Sequence, residues 1–323
     1  MAQNTPTAFI FPGQGSQYTG MGKDLAESFP EARDVFQEVD ESLGQNLSHL
    51  MFEGPEDDLN LTENTQPALM AVSVAVARIL EKQGRINFAQ EARFLAGHSL
   101  GEYAALTVAG SLSLPDCARL LKLRGQAMQR AVPVGVGAMA AILGAEFADV
   151  ETLAKDAAQG GRQGEICEIA NDNSVGQVVI SGHKTAIERA IALAAERGIK
   201  RAVLLPVSAP FHCSLMTAAA ETMAHALAQA EVNAPVPAIV SNVTAQAVTD
   251  PMAIRMLLVE QITGMVRWRE SVLWMKAQGV EQMIELGAGK VLSGLIRRID
   301  KDIATESVGT PETIEALITK LKG

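Results

Sequence analysis

The segment Gly97-His98-Ser99-Leu100-Gly101 constrains this chain more than any other. Phe94, Leu95 and Ala96 before it read as the end of a buried strand, and from Glu102 a helical pattern follows, with Tyr103, Leu106 and Ala109 on one face. Strand, tight turn and helix form the context in which G-x-S-x-G is a nucleophile elbow. Gly97 and Gly101, lacking a Cβ, let strand and helix approach closely while the serine between them takes a strained conformation. The Ser99 hydroxyl is thereby pushed out over the sheet, beside the orphan N–H groups and partial positive charge of a helix N-terminus. The N–H of Leu100 is a candidate oxyanion donor.

A general base is expected further along the chain, and among five histidines only His212 has a suitable setting. In Pro206-Val207-Ser208-Ala209-Pro210-Phe211-His212, a strand ends, two prolines stiffen the connection, and the histidine precedes a helix. His49 and His225 sit on helical patterns, His183 lies in a turn, and His98 is too close along the backbone to face Ser99. The order Ser then His fits an elbow enzyme. Cys213, the neighbour of His212, is a weaker candidate nucleophile, because adjacent side chains rarely face the same way. Asp116, Asp149, Asp156 and Asp172 lie between Ser99 and His212, but none has a motif that marks it as the acid of a triad.

The rest of the chain reads as an α/β protein. Thr7 to Phe11 is a short buried strand, followed by the glycine-rich Pro12-Gly13-Gln14-Gly15-Ser16-Gln17, whose spacing fits neither G-x-G-x-x-G nor a P-loop. Residues 22–61 read as short helices, and Thr62 opens a long apolar helix with Pro67 in its first turn. Within it Gln66 is either a polar cap or a residue lining a site. Between 134 and 206 the order is β-α-β-β-α-β, the split βαβ arrangement of ferredoxin-like units, with Asn171-Asp172-Asn173-Ser174 as the loop between its middle strands. The expected architecture is therefore a larger α/β body, residues 1–132 and 207–323, with a parallel central sheet and the elbow. A ferredoxin-like insert occupies residues 133–206.

With 323 residues, the chain can bury a large core of Ala, Val, Leu, Ile and Met; hydrophobic residues make up 48% and aromatics only 4%. A formal net charge of −10 argues against nucleic-acid binding. No apolar run approaches the ~20 residues of a membrane span, and no signal peptide is expected. Cys117, Cys167 and Cys213 form no C-x-x-C pair, so a reduced, cytoplasmic setting is the natural reading.

Several stretches resemble the acyltransferases that move malonyl groups from coenzyme A to acyl carrier protein. They are Phe11-Pro12-Gly13-Gln14-Gly15-Ser16-Gln17, Thr65-Gln66-Pro67-Ala68, Gly97-His98-Ser99-Leu100-Gly101-Glu102-Tyr103, Arg124-Gly125 with Met128-Gln129, Gln261 ahead of Val266-Arg267-Trp268, and Gly287-Ala288-Gly289-Lys290. The proline that often precedes the Val of the fifth motif is Met265 here. The resemblance implies an α/β-hydrolase-like body, with Ser99 as nucleophile and His212 as base. It further implies that the main-chain N–H of Gln14 completes an oxyanion hole with Leu100, that Arg124 grips the malonyl carboxylate, and that the main-chain carbonyl of Gln261 orients His212 in place of an acid. Gln66, Met128 and Phe211 are expected to line the site, Phe211 restricting bulk at the malonyl α-carbon, and the resemblance makes the Asn171-Asp172-Asn173-Ser174 loop cleft-facing rather than a plain polar loop. On charge alone Arg124 would be an ordinary solvated helix residue; a guanidinium nevertheless suits a carboxylate through its planar two-donor fork. No metal or bound cofactor is implied; the coenzyme A thioester is a substrate, and the chain is expected to act as a monomer. Lys200-Arg201 and Arg297-Arg298 are either solvated charge pairs or a basic patch that docks the acidic carrier.

Two other classes remain open from sequence. A serine esterase or thioesterase would share the elbow but show an acid in context and no dedicated arginine; a carrier-docking module would not need Ser99 and His212 together. A sibling malonyl transferase of malonate decarboxylase or a polyketide pathway is closer still.

Overall fold

The computed structural model describes residues 5–207 and 209–322. Its strands are β1 (Thr7–Phe11), β2 (Ala92–Gly97), β3 (Gly137–Leu143), β4 (Cys167–Ser174), β5 (Gln177–His183), β6 (Arg201–Leu204), β7 (Ile239–Val240), β8 (Ala247–Val248), β9 (Gln282–Leu286) and β10 (Ala304–Val308). They form two sheets. One has six strands in the order β10-β9-β1-β2-β7-β8, and the other four in the order β4-β5-β3-β6. In the first sheet every pairing is parallel except β7 with β8; in the second every pairing is antiparallel.

The first sheet is central because both its faces are covered. Strand β1 is buried at all five positions, the continuous apolar run expected of a parallel strand between helical layers. Phe9, Phe11 and Leu95 point into one apolar cluster with the helices Thr62–Lys82, Gly101–Val108 and Leu114–Ala131. Ala8, Ile10, Ala96 and Val240 point the other way, onto Trp268, Val272, Met275, Leu292 and Ile296. Helix Thr62–Lys82 is apolar almost all round and runs through the interior, as such a helix must. Pro67 lies in its second turn rather than its first, so the Glu63 carbonyl loses its intrahelical donor.

The second sheet, built from the segment 137–204, packs one face on the helices Phe147–Gln159 and Lys184–Glu196 through Ala140, Ile142, Val178 and Ile180. Met139, Ala141, Ala170 and Val179 face the main cluster instead. The Asn171–Ser174 stretch is not a loop: β4 continues through it and the reversal falls at Val175-Gly176. Its polar side chains mislead as a sequence signal because all four are buried, two of them on partners: Asp172 on Arg269 and Asn173 on His98. Asp172 N donates to Val266 O and Val266 N to Ala170 O, and the Arg269 guanidinium holds the 1%-exposed Asp172 carboxylate at 2.9 Å. The second sheet is thereby tied to the segment 266–269 of the body.

Candidate active site

The elbow is as tight as its glycines allow. A Cβ on Gly97 would lie 1.9 Å from the Gly101 carbonyl carbon, and one on Gly101 would lie 2.2 Å from Phe11 O. Ser99 has φ 53°, a left-handed conformation costly for a residue with a Cβ. Asn242, at the end of β7, holds this strained turn from below. Its Oδ1 accepts the Ser99 N–H at 2.7 Å and its Nδ2 donates to Gly97 O at 2.7 Å. With its own N–H engaged in this way, Ser99 leaves the next amide, that of Leu100, at the start of the helix Gly101–Val108.

His212 also has a positive φ, 57°, and its ring bridges two distant segments. Nε2 lies 2.8 Å from Ser99 Oγ, and Nδ1 lies 2.8 Å from the main-chain oxygen of Gln261. That oxygen can only accept, so Nδ1 carries the proton and Nε2 is left to accept the serine O–H. Burial, reinforced by the Arg124 charge, depresses the His212 pKa to about 3, so the ring is neutral at physiological pH. The four aspartates between Ser99 and His212 lie elsewhere. Asp116 pairs with Arg119, Asp156 with Arg197 and Asp172 with Arg269, while Asp149 is exposed. Cys213 donates to Pro210 O at 3.2 Å, and burial pushes its thiol up to about 11, which suits packing rather than attack.

Arg124 is 1% exposed, contrary to the usual fate of a helical arginine. Close approach of two helices puts it there: a Cβ on the adjacent Gly125 would lie 2.4 Å from Glu63 Cα. Its Nη1 donates to Gln66 Oε1 at 2.6 Å, and its Nη2 donates to Ser99 Oγ at 3.1 Å and to Gln261 Oε1 at 2.9 Å. Gln66 in turn donates to Thr62 Oγ1 at 2.9 Å, and Thr62 to Gln14 Oε1 at 2.9 Å. This relay orients Gln14 from the side of Arg124. Gln66 is therefore no helix cap; it lies four residues inside the helix start and serves the site.

A cavity of ≈530 Å³ opens over these groups. Gln14, Gln66, Ser99, Leu100, Arg124, Met128, Phe211 and His212 line it, together with Met139, Asn171, Asn173, Val179 and Leu205 from the second sheet. The site is thus a cleft between the two sheets. Gln261 lies behind the wall, fully buried. Among the described residues, no three His, Cys, Asp or Glu side chains cluster as metal ligands would. No helix among them is long and apolar enough to cross a membrane.

The basic pairs lie outside the cavity lining. Arg201 opens β6, about 13 Å along the strand from Leu205 at 3.3 Å per residue. It sits opposite Leu143, which itself faces Gln177 on the other side. Arg298 reaches Gln177 Oε1 at 2.8 Å, so these two arginines converge on one end of the second sheet, whereas Arg297 turns to Thr305. Asn171 and Asn173 face the cleft, as the resemblance implies for their stretch, and Asn173 holds the His98 ring at 2.8 Å. Two site residues carry no motif of their own, Glu102 and Asn242. Glu102 is 2% exposed and accepts from Asn242 N at 3.1 Å and from Gln261 Nε2 at 2.7 Å. The signal for Glu102 is its charge at the head of an otherwise apolar helix; an isolated Asn after the two-residue β7 gives almost none.

A strained serine, a neutral histidine within hydrogen-bond reach and a buried guanidinium define an acyl-transfer site. The sequence matches the family described as "Acyl transferase domain" over residues 8–314, and the chain belongs to that family. It is 45% identical over 314 residues to the malonyl CoA-acyl carrier protein transacylase of Escherichia coli K12, covering 97% of this chain and 99% of that one. The crystal structure of the acyl-carrier-protein S-malonyltransferase from Bartonella henselae is 53% identical and superposes with a TM-score of 0.95 over 98% of this chain and 100% of that one. A malonyl-transacylase solved in complex with a type II polyketide acyl carrier protein is 41% identical, with a TM-score of 0.93 over 98% of this chain and 100% of the other.

Proposed function

We propose that this acyltransferase moves the malonyl group of malonyl-CoA onto the phosphopantetheine thiol of acyl carrier protein in fatty acid synthesis, through a malonyl ester on Ser99. The observation that carries the reading is the fully buried Arg124, which reaches the same Ser99 Oγ that His212 contacts. A buried cation beside a nucleophile suits an acyl group that ends in a carboxylate.

His212 Nε2 takes the Ser99 proton as Oγ attacks the thioester carbonyl. The main-chain N–H groups of Leu100 and Gln14 hold the oxyanion. Collapse of the tetrahedral intermediate expels the coenzyme A sulfur, which receives the proton from His212. The carrier thiol then gives its proton to His212, attacks the ester carbonyl, and leaves as malonyl thioester while Ser99 regains its proton. Arg124 grips the malonyl carboxylate throughout. No step calls for a cofactor beyond the thioester substrates.

The surrounding architecture fits this role. We read residues 1–132 and 207–323 as an α/β-hydrolase-like body and 133–206 as a ferredoxin-like insert that roofs the cleft; the order β4-β5-β3-β6 supports the latter. The convergence of Arg201 and Arg298, with Lys200 and Arg297 beside them, supports a docking patch for an acidic carrier. Three free, buried cysteines suit a reducing, cytoplasmic setting, and the chain is read as acting as a monomer. The likeness to the polyketide transacylase supports a sibling role with a polyketide carrier as the second reading. An esterase is disfavoured by the main-chain partner of His212 and by Arg124.

Brief incubation with malonyl-CoA, read by intact mass, tests the core of this function. The wild-type chain gains one malonyl group and Ser99→Ala gains none; an adduct persisting in Ser99→Ala would remove the assignment.

A further inference from the structure

Arg124 brings a positive charge into a closed site, yet the hydrogen bonds it makes to Gln66, Ser99 and Gln261 all end on neutral oxygens. Its Nε–H has no partner. A buried cation without compensation is costly, so a negative charge close by is needed. The nearest one through this network is a single relay away. Glu102 Oε2 accepts from Gln261 Nε2 at 2.7 Å, and the same amide turns its Oε1 to Arg124 at 2.9 Å. An amide meets a carboxylate and a guanidinium together in only one orientation, nitrogen to the acid and oxygen to the base. Gln261 Nε2 also reaches Ser99 O at 3.1 Å, so the same orientation supports the elbow.

We infer that Glu102 is the resident counter-charge of Arg124 and the positioning residue that fixes the Gln261 amide, and that it takes a proton from solvent when a substrate carboxylate reaches Arg124. The inference rests on the reading of Arg124 as the malonyl carboxylate site. In the empty site one cation faces one anion; with malonyl bound it would face two within a desolvated volume. Like charges so placed disfavour double ionisation. One proton from water, bound to the Glu102 carboxyl, restores the balance without making or breaking any other bond. A protonated Glu102 keeps a carbonyl oxygen to accept from Gln261 and Asn242, so the scaffold persists.

Burial already pushes Glu102 up to about 7, against the opposing pull of its hydrogen bonds and Arg124, so the proton is available near neutral pH. The buried ionisable groups that act on it are Arg124 and Tyr103, and beyond them Cys117 interacts with Tyr103, His212 with Arg124 and His98 with His212. Burial lowers both histidines and raises Tyr103 and Cys117, so none of these competes for a proton in this range. Glu63, Arg78, Glu81 and Lys82 of the helix Thr62–Lys82, and Arg255 and Glu260 of the helix Pro251–Thr263, lie outside the buried set.

The test uses Ser99→Ala protein, which can bind a thioester without reacting. Calorimetric titration just above neutral pH, in two buffers of different ionisation enthalpy, counts the protons taken up. We expect about half to one proton per malonyl-CoA bound and none for acetyl-CoA, with malonyl-CoA affinity falling up to tenfold per pH unit above the Glu102 midpoint. Adding Glu102→Gln should abolish the uptake and flatten the affinity with pH. If that double variant does not fold, infrared difference spectra of Ser99→Ala should still show a carboxylic-acid C=O band appearing with malonyl-CoA and not with acetyl-CoA. Preferential malonyl-CoA binding without proton uptake or such a band overturns the role of Glu102 and leaves Arg124 as the carboxylate site. No preference for malonyl-CoA overturns both.

Discussion

His212 Nε2 stands 2.8 Å from Ser99 Oγ across 113 residues of chain, and both residues hold a left-handed backbone conformation. Strain of this kind costs about 1–3 kcal/mol per residue and persists only where the surroundings impose it. Here they do so from both sides: Asn242 clamps the elbow, and the Gln261 carbonyl pins the imidazole.

The base should therefore stay neutral far into acid. With its pKa near 3 in the substrate-free protein, His212 cannot set an acid limb around pH 6–7 in kcat/KM for malonylation by malonyl-CoA. Rapid-quench rates at sub-saturating malonyl-CoA should show no fall towards acid at the ordinary histidine value. Stability carries the matching sign. Unfolded, His212 binds its proton near 6.5; folded, near 3. Its contribution is complete above 6.5 and is lost as pH falls towards 3, at up to about 1.4 kcal/mol per pH unit. Denaturant unfolding of His212→Gln should lack this part of the acid slope.

Arg124 should decide which acyl group is accepted. Arg124→Ala is expected to lose malonyl transfer by about 10²-fold or more while acetyl transfer holds or rises, because unpaired buried polar groups are what enforce strong discrimination. Competition between malonyl-CoA and acetyl-CoA for Ser99, resolved by mass, gives the ratio; an unchanged ratio would make Arg124 a packing residue.

The elbow glycines should tolerate no side chain. Gly97→Ala places a methyl against backbone at 1.9 Å and should cost on the order of 3 kcal/mol or more. Gly294→Ala, on the helix Val291–Ile299 with nothing within 4 Å of the new Cβ, should gain up to about 1 kcal/mol. Thermal melts of the two variants should move in opposite directions.

Arg201 and Arg298 should act on the encounter with the carrier rather than on chemistry. Reversing either charge is expected to raise the KM for acyl carrier protein several-fold at low salt while Ser99 malonylation proceeds as before. Added salt should weaken the wild-type interaction more than that of the reversed variants. A normal carrier KM in both variants at low salt would move the docking surface elsewhere.

The tie between Asp172 and Arg269 should matter for the whole cleft. Asp172→Asn leaves a guanidinium without its carboxylate and should destabilise by about 1–3 kcal/mol, less than a fully buried pair because Arg269 is partly exposed. Asn171 and Asn173 line the cavity on the same strand, so the KM for malonyl-CoA should rise as well.

Much of this site was legible in the chain because its chemistry is local. The elbow announces itself within Gly97–Gly101, and His212 stands out by its prolines and by its position after the serine. Arg124 and Gln261 were different: their burial follows from helix approaches at Gly125 and behind Ser99, and only resemblance pointed to them. The Asn171–Ser174 stretch reads as a loop because four polar residues in a row hide a strand; its cleft-facing side was legible only through the resemblance. Glu102 and Asn242 escaped notice because the contact that gives them meaning spans 140 residues of chain. The short β7 and β8 and the helices of 251–277 left too weak a periodicity to be placed.

Gln261 holds His212 by a backbone atom, and every amino acid has that atom. Replacing position 261 one residue at a time can remove the contacts to Arg124 and Glu102 but never the acceptor that sets the imidazole tautomer. Substitution scanning will therefore report Gln261 as a partner of the guanidinium and stay silent on its part in the base. Lowering the basicity of that oxygen takes an edit to the main chain itself, such as an ester in place of the 261–262 peptide bond.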